Sequence, residues 1–317
     1  MASQTLIFTV CTVAQLPFTK VLGESLPSHI SFKIGIVDAN PTVSDSNIIS
    51  LNDLPLSEIQ PLQQRYDEAS LIAASKPFFA EYFLQKTQCQ TLMYVDPTVF
   101  FVGDVAEILE VVEQHEIVLT PRIIRKFGKA TYGDEKMFLN TGMYDNGFWA
   151  IRNTHNTSHF LKWWKGRLTD RAHFEVCQGM NHDQLWLNYV PIFFKNVFVC
   201  KNTGWNVALH NLHERTLNFG GAEWTVNQTD KLIFINFREC FVKNKTLSKL
   251  IHTSGVEPLI QAYLLKLQQH TSQIPVIFSL RSALFPVMPA WKHLLKKQLQ
   301  GIIDTISYFP LYHKITK

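Results

Sequence analysis

The chain has 317 residues and is 46% hydrophobic, enough for one large or two ordinary globular units with a substantial core. Its 30 Lys and Arg against 26 Asp and Glu leave a net charge of +4 and no polybasic tract, which excludes nucleic acid as the main partner. Five widely spaced cysteines without a CxxC pair exclude a disulfide framework and a cysteine zinc site.

The first residues, Met1-Ala2-Ser3-Gln4, run into the apolar LIFTV (6–10) with neither a basic leader nor a membrane-length stretch, so the expected location is the cytoplasm. The Asn-x-Ser/Thr triplets at Asn156, Asn227 and Asn244 are then chance matches. LIFTV and FKIGIV (32–37) read as strands, and 14–26 can hold a helix between them, giving a β-α-β opening. A helix is expected over 62–74. Ser75-Lys76-Pro77 offers a new N-cap, with Phe78, Phe79, Tyr82 and Phe83 on the buried side of the helix that follows.

LMYV (92–95) is the third expected strand and ends on Asp96. Asp104 to Glu107 has the spacing of a capping box for a helix reaching about His115, and 117–119 is a fourth strand. Strands alternating with helices predict an α/β fold with a mostly parallel central sheet flanked by helices, whose ligand sites lie beyond the carboxyl ends of the strands. The aperiodic, basic and Gly-containing stretch 122–136 reads as a loop at that edge. GFWAI, VFV and LIFIN are later strands, while HFLKWWKGRL and DQLWLNYV read as helices. From about 256 the pattern turns helical. PLIQAYLLKLQQH precedes AWKHLLKKQLQGIIDTISYF, whose lysine face either is solvated or rests on an anionic membrane. The expected organisation is a domain over 1–250 and a helical extension over 251–317.

The ordered motifs are Val10-Cys11-Thr12, Asp38, Ser75-Lys76-Pro77, Asp96-Pro97-Thr98, Tyr144-Asp145-Asn146-Gly147-Phe148, Asp183-Gln184 with Asn188, and Trp205-Asn206. In this order they resemble a nucleotide-sugar glycosyltransferase of the GT-A fold. The likeness is to bacterial surface-polysaccharide transferases distantly related to the glycogenin and lipopolysaccharide galactosyltransferase group, over roughly residues 5–240. It implies transfer of a sugar from a nucleotide diphosphate sugar, UDP-linked, to a hydroxyl of a glycan or lipid-linked saccharide, with retention. An inverting enzyme would need a carboxylate base such as Asp145 or Asp183.

In that reaction negative charge grows on the β-phosphate, and a positive group must meet it. The resemblance implies a divalent cation, Mn²⁺ or Mg²⁺, held by an Asp-x-Asp and a later histidine. Here the strand end reads Asp96-Pro97-Thr98. The later element, Phe234-Ile235-Asn236-Phe237-Arg238, has Asn236 in place of the histidine. Two ligands differ together, leaving Asp96 and Asn236 as the metal candidates. Arg238, as a fixed guanidinium able to grip phosphate bidentately, is expected to help replace the ion.

The resemblance assigns further roles. Thr12 and Asp38 face the base or ribose, although Asp38 at a strand end can equally cap a loop. Lys76, read at a helix start, contacts phosphate or ribose. Asp183 and Gln184 lie beside the sugar, with Asp183 the foremost carboxylate for turnover. Asp145 and Asn146 occupy the place where relatives show Asn and a small residue before Gly; Asp145 is a departure that alters sugar choice, Asn146 contacts the nucleotide sugar, and Gly147 either allows close backbone approach or serves a bend. Asn206 lies in a loop whose Trp205 either stacks on a sugar or is core. His182, His210 and His213 fit no zinc spacing. Two rivals are weighed. A sugar-phosphate nucleotidyltransferase would carry a Gly-rich basic loop after strand one, and Thr12-Val-Ala-Gln-Leu-Pro is not one. A catalytically inactive carbohydrate- or nucleotide-binding protein on the same fold would account for the altered metal ligands.

Overall fold

The computed structural model describes residues 5–38, 45–127, 135–175, 178–241, 251 and 253–271, with isolated positions 291, 295, 298, 299 and 302. Two units are separable, Met1–Ile277 and Phe278–Lys317, and the fold below is that of the first. The basic amphipathic segment at 290–309 falls outside the described residues but for those positions, as do Cys177 and Asn244.

Seven strands form the central sheet. They are β1 (Thr5–Cys11), β2 (Ser31–Ile36), β3 (Ile48–Ser50), β4 (Thr91–Val95), β6 (Ile117–Pro121), β7 (Tyr144–Arg152) and the strand Val197–Val199. A short β5 (Val99–Phe101) leaves the sheet after β4 and pairs with Phe234–Asn236 instead. The order across the sheet is Val197–Val199, β6, β7, β4, β1, β2, β3. Its pairings are parallel except where β7 runs antiparallel to both β4 and β6. Pro121 pairs with Tyr144, so the chain returns to the edge it left instead of crossing the sheet.

The helices are α1 (Leu16–Ser25), α2 (Leu56–Arg65), α3 (Glu68–Thr87), α4 (Ala106–Gln114), α5 (Lys136–Thr141) and α6 (His155–Leu168). Both sheet faces are covered, which is why β1 and β4 are buried throughout and read as continuous apolar runs. Alternation still sorts their side chains. Phe8, Tyr94 and Trp149 pack on the α3 and α6 side, with ring centroids 5.3–5.7 Å apart, while Ile7, Met93 and Phe148 pack on the other. The helix Glu257–His270 packs on α1, and its Tyr263 meets Phe100 edge-on at 5.9 Å.

Three local readings are corrected by tertiary structure. No helix begins at Ser75. The helix starts at Glu68, where the Asp67 carboxylate accepts the Ser70 N–H at 2.8 Å, and continues through Pro77. Proline cannot donate to the carbonyl one turn back, yet burial of Phe78, Phe79 and Phe83 against the sheet outweighs that loss. The expected capping box at Asp104 is half made. Asp104 accepts the Ala106 N–H, but Glu107 turns inward to accept from Asn202 and from Trp205 Nε1, each at 2.9 Å. The helix read in DQLWLNYV is a 3-10 segment, Leu185–Tyr189, followed by the short helix Val190–Phe193.

Candidate functional site

Because β1, β2 and β4 are parallel neighbours, their carboxyl ends bring Thr12, Asp38 and Asp96 to one edge. Antiparallel β7 brings its beginning, Asp145 to Gly147, to the same edge. There the Asp96 N–H donates to the Gly147 carbonyl at 2.8 Å.

Asp96 is buried with both carboxylate oxygens engaged. Tyr94 Oη donates to Oδ1 at 3.0 Å; Asn236 Nδ2 and Arg238 Nη1 donate to Oδ2 at 3.3 and 3.1 Å. Burial opposes its ionisation, but Arg238, Lys76 and these hydrogen bonds together hold the carboxyl below its ordinary value. The Tyr94 phenol is pushed well above its ordinary value by burial and then by Asp96 and Asp183, so it remains a donor. Arg238 is raised chiefly by Asp96 and stays charged. Its side chain is 41% exposed, so the guanidinium is pinned on one side and open on the other.

The expected metal position can be tested against these contacts. Of Asp96, Thr98 and Asn236, one is anionic. Thr98 Oγ1 donates to Asn236 Oδ1 at 2.8 Å, and the same oxygen accepts the Arg238 N–H at 3.0 Å. The polar atoms thus satisfy one another, and a fixed cation stands 3.1 Å from Asp96. This donor set does not fit a divalent ion, which needs several free anionic oxygens. Among the described residues, no group of three or more His, Cys, Asp or Glu side chains is placed to hold one.

Lys76 lies inside α3, not at a helix start. Its Nζ lies over the Tyr94 ring, 4.5 Å from the centroid, 3.0 Å from the Asn146 carbonyl and 2.8 Å from Asp183 Oδ2. Asp183 is fully buried, and its Oδ1 accepts Asn146 Nδ2 at 2.5 Å. The sequence candidates Lys76, Asn146 and Asp183 therefore form one closed polar unit. Through Tyr94 it adjoins the Asp96 and Arg238 pair, so charges alternate along the site. Gln184 is buried and donates to the Thr141 carbonyl, against the positive-φ Gly142.

Asp145 is buried, and its Oδ1 accepts the Gly147 N–H at 2.7 Å. A methyl on Gly147 would lie 2.7 Å from Asp96 Oδ2, 2.7 Å from Asn236 Nδ2 and 2.8 Å from Asp145 Oδ1, so only glycine lets these groups converge. Gly147→Ala is expected to cost about 1–3 kcal/mol of stability and to weaken donor binding. Denaturant midpoint and ligand titration read both effects, and an unperturbed variant would show that the convergence is unimportant.

Sequence reasoning missed the neighbours of Asp145. His210 Nε2 is 3.7 Å from Asp145 Oδ2, while its Nδ1 is 3.3 Å from Glu239 Oε1; Arg122 reaches the same glutamate at 4.0 Å. His210 and Glu239 are 29 residues apart, and no sequence spacing announces them. Tyr94 was more accessible, being two residues before Asp96 and so on the same strand face. Burial would raise the Glu239 carboxyl, but His210 and Arg122 overcome it and hold the group down to about 2, from an ordinary 4.5. A depressed carboxylate contributes stability in full above about pH 4.5 and loses it as pH falls toward about 2. Glu239→Gln should therefore flatten the loss of urea-unfolding free energy across that window, whereas parallel acid limbs would exclude this role.

Trp205 is core. Its ring is buried beside Phe148, with centroids 6.1 Å apart, so it cannot stack on a sugar. Asn206 is also fully buried; its Nδ2 donates to Thr120 Oγ1 at 3.1 Å, and among the described residues its Oδ1 has no partner. At the other end of the edge, Thr12, Val37, Asp38, Asn52, Gln63 and Glu68 line a cavity of about 460 Å³. Asp38 Oδ2 accepts the Val13 N–H at 2.8 Å, so Asp38 caps the turn after β1 while bordering the cavity. Among the described residues, the buried Thr12 hydroxyl has no partner.

No protein-family model matches the chain. It is 22% identical over 223 residues to the uncharacterized protein YfnF of Bacillus subtilis strain 168, covering 68% of this chain and 73% of that protein. Among solved structures it is similar to the galactosyltransferase LgtC in complex with donor and acceptor sugar analogues. That alignment has a TM-score of 0.48 and 13% identity, over 85% of this chain and 97% of the other. A glycosyltransferase involved in glycosylation of the major capsid of PBCV-1 aligns with a TM-score of 0.44 and 8% identity, over 78% and 98%. GlyE of Streptococcus pneumoniae TIGR4 aligns at 0.38 and 15%, over 66% and 47%. At these scores and identities the functional reading rests on the residues of the site.

Proposed function

We propose that this chain is a GT-A-type glycosyltransferase that moves a sugar from a nucleotide diphosphate sugar, UDP-linked, to a hydroxyl of a glycan or lipid-linked saccharide. The observation that carries the reading is the single sheet edge joining a nucleoside-sized cavity at Thr12 and Asp38 to a half-open guanidinium at Arg238. Beside Arg238 stand the buried Asp96 and the Lys76, Asn146 and Asp183 unit. The cavity supplies acceptors for base and ribose N–H and O–H groups. Arg238, held by Asp96, presents its open side to the diphosphate and meets the charge that develops as it leaves, the part a divalent cation takes in the resembled group.

The sugar then lies toward Asn146, Asp183 and Gln184. Both Asp183 oxygens are already bound, by Lys76 and Asn146, so its part is to fix Asn146 and the surrounding backbone rather than to attack carbon. That arrangement favours retention, with the leaving phosphate accepting the acceptor proton on the same face. The alternative is an inactive nucleotide-sugar-binding protein, which would bind the donor without turning it over.

A thermal-shift screen of UDP-, GDP-, dTDP- and CMP-sugars, each with EDTA or Mn²⁺, followed by a donor-hydrolysis assay, tests the reading. The expected result is a UDP-sugar shift that survives EDTA, together with hydrolysis. A shift without hydrolysis favours the inactive alternative, and no shift with any donor overturns the proposal.

A further inference from the structure

Outside the candidate site, one face of the first unit carries an uninterrupted aromatic ledge. The inner side of α6 is spent on the core through Phe160, Leu161, Trp164 and Leu168. On its outer side, Trp163 meets Trp186 at 6.4 Å between ring centroids and Phe193 at 5.7 Å, both edge-on. Trp186 continues to Tyr189 at 6.3 Å, and Tyr189 stacks on Phe193 at 5.1 Å. The ledge ends on the side chains most open to solvent. Ile192 is 75% exposed, Phe193 55% and Tyr189 45%. Isolated exposed apolar residues are ordinary, but a connected set of this kind marks a contact surface.

Charge says what the contact is. Trp163 also borders an open cavity of about 480 Å³, whose other lining residues are His159, Lys162, Gly166 and Arg167. Among the described residues, no acidic side chain lines it. Lys195 and Arg171, both exposed, flank the ledge, and the nearby Asp170 is paired with Arg171 at 3.4 Å. Aliphatic and phenyl tips beside Trp and Tyr, with cations set behind them, match the headgroup boundary of a bilayer. There indole and phenol rings sit at the interface, apolar tips enter the acyl region, and Lys and Arg meet phosphates. A second copy of this chain is a poorer occupant, because a two-fold contact would present the same basic patch from both sides of the interface.

We propose that the ledge formed by Trp163, Trp186, Tyr189, Ile192 and Phe193, with the adjoining Lys162 and Arg167, docks this protein on an anionic lipid bilayer surface. Each cation held at such a surface contributes about fivefold to partitioning, and burial of Ile192 and Phe193 adds a part that salt does not screen. The inference stands on this face alone and does not depend on the reading of the sheet-edge site.

Flotation of the full chain with phosphatidylcholine vesicles, and with vesicles containing about one-third phosphatidylglycerol, tests it. The expected result is a bound fraction at least about tenfold higher on the anionic vesicles. I192D/F193D should lower that fraction about tenfold or more, and K162E/R167E should lower it and flatten its salt dependence. Ile192, Phe193 and Lys162 are exposed and Arg167 is half-buried, and an unshifted thermal midpoint would confirm folding of each variant. Wild-type protein that ignores anionic vesicles overturns the proposal. So does binding that neither variant alters, since the chain would then be held elsewhere. Light scattering in which lipid-free wild-type protein is a dimer and I192D/F193D a monomer would assign the ledge to a second copy instead.

Discussion

Lys76→Met is expected to destabilise the protein by about 3–5 kcal/mol, read from urea unfolding at neutral pH, because it strands a fully buried carboxylate. Lys76 and Asp183 are 3% and 0% exposed and 2.8 Å apart. Asp183 would keep the Asn146 amide as its one hydrogen-bond partner among the described residues, too little to compensate a charge removed from water. The double variant K76M/D183N removes both charges and should recover most of the loss, giving strong coupling in a double-mutant cycle. Additive losses would show that the two side chains do not act as a pair. The same proteins separate structure from function. If a stable K76M/D183N retains full donor turnover, the pair only supports the fold, and the placement of the sugar beside Asn146 and Asp183 fails.

The second large effect is expected at Arg238. Arg238→Gln should lower kcat by about 10²–10³-fold, the usual consequence of deleting one preorganised group that meets charge in the transition state, equivalent to about 2.7–4 kcal/mol. Arg238→Lys keeps a charge but loses the planar fork, so it should recover only part of the rate. The wild type should work at full rate in excess EDTA, and Mn²⁺ should not rescue Arg238→Gln. These expectations follow from a site where Asp96 has both oxygens occupied and where Thr98 and Asn236 satisfy one another. Strict dependence of the wild type on added Mn²⁺ would sink the idea that a guanidinium takes the cation's place, as would a fully active Arg238→Gln.

A good part of this architecture was legible from residues alone. Apolar runs bounded by polar turns located β1, β2, β4, β6 and the strand ending at Asn236, because a strand buried on both faces must be continuously apolar. The parallel sheet then implied that Thr12, Asp38 and Asp96 share an edge. Against the resembled family, Thr98 and Asn236 in place of the metal ligands point to Arg238. Local rules misled where long-range packing outweighed them. Pro77 suggests a helix start but sits inside α3, and Glu107 completes a capping-box pattern yet bonds to Trp205, 98 residues away. Trp205 resembled a ligand contact and is packed in the interior beside Phe148, a difference that burial reveals.

The sequence by itself determined which segments could be strands and which residues could carry chemistry, which are properties of residue type and near-neighbour spacing. The altered metal-ligand pattern at Thr98 and Asn236 is what the family resemblance implied. Tertiary structure alone decided that β7 runs antiparallel and delivers Asp145, Asn146 and Gly147 to the edge where β4 ends. It also paired Lys76 with Asp183 and Arg238 with Asp96, 107 and 142 residues apart, and set His210 between Asp145 and Glu239. Partner choice among buried charges depends on where desolvated groups meet across the fold, and sequence spacing does not encode that.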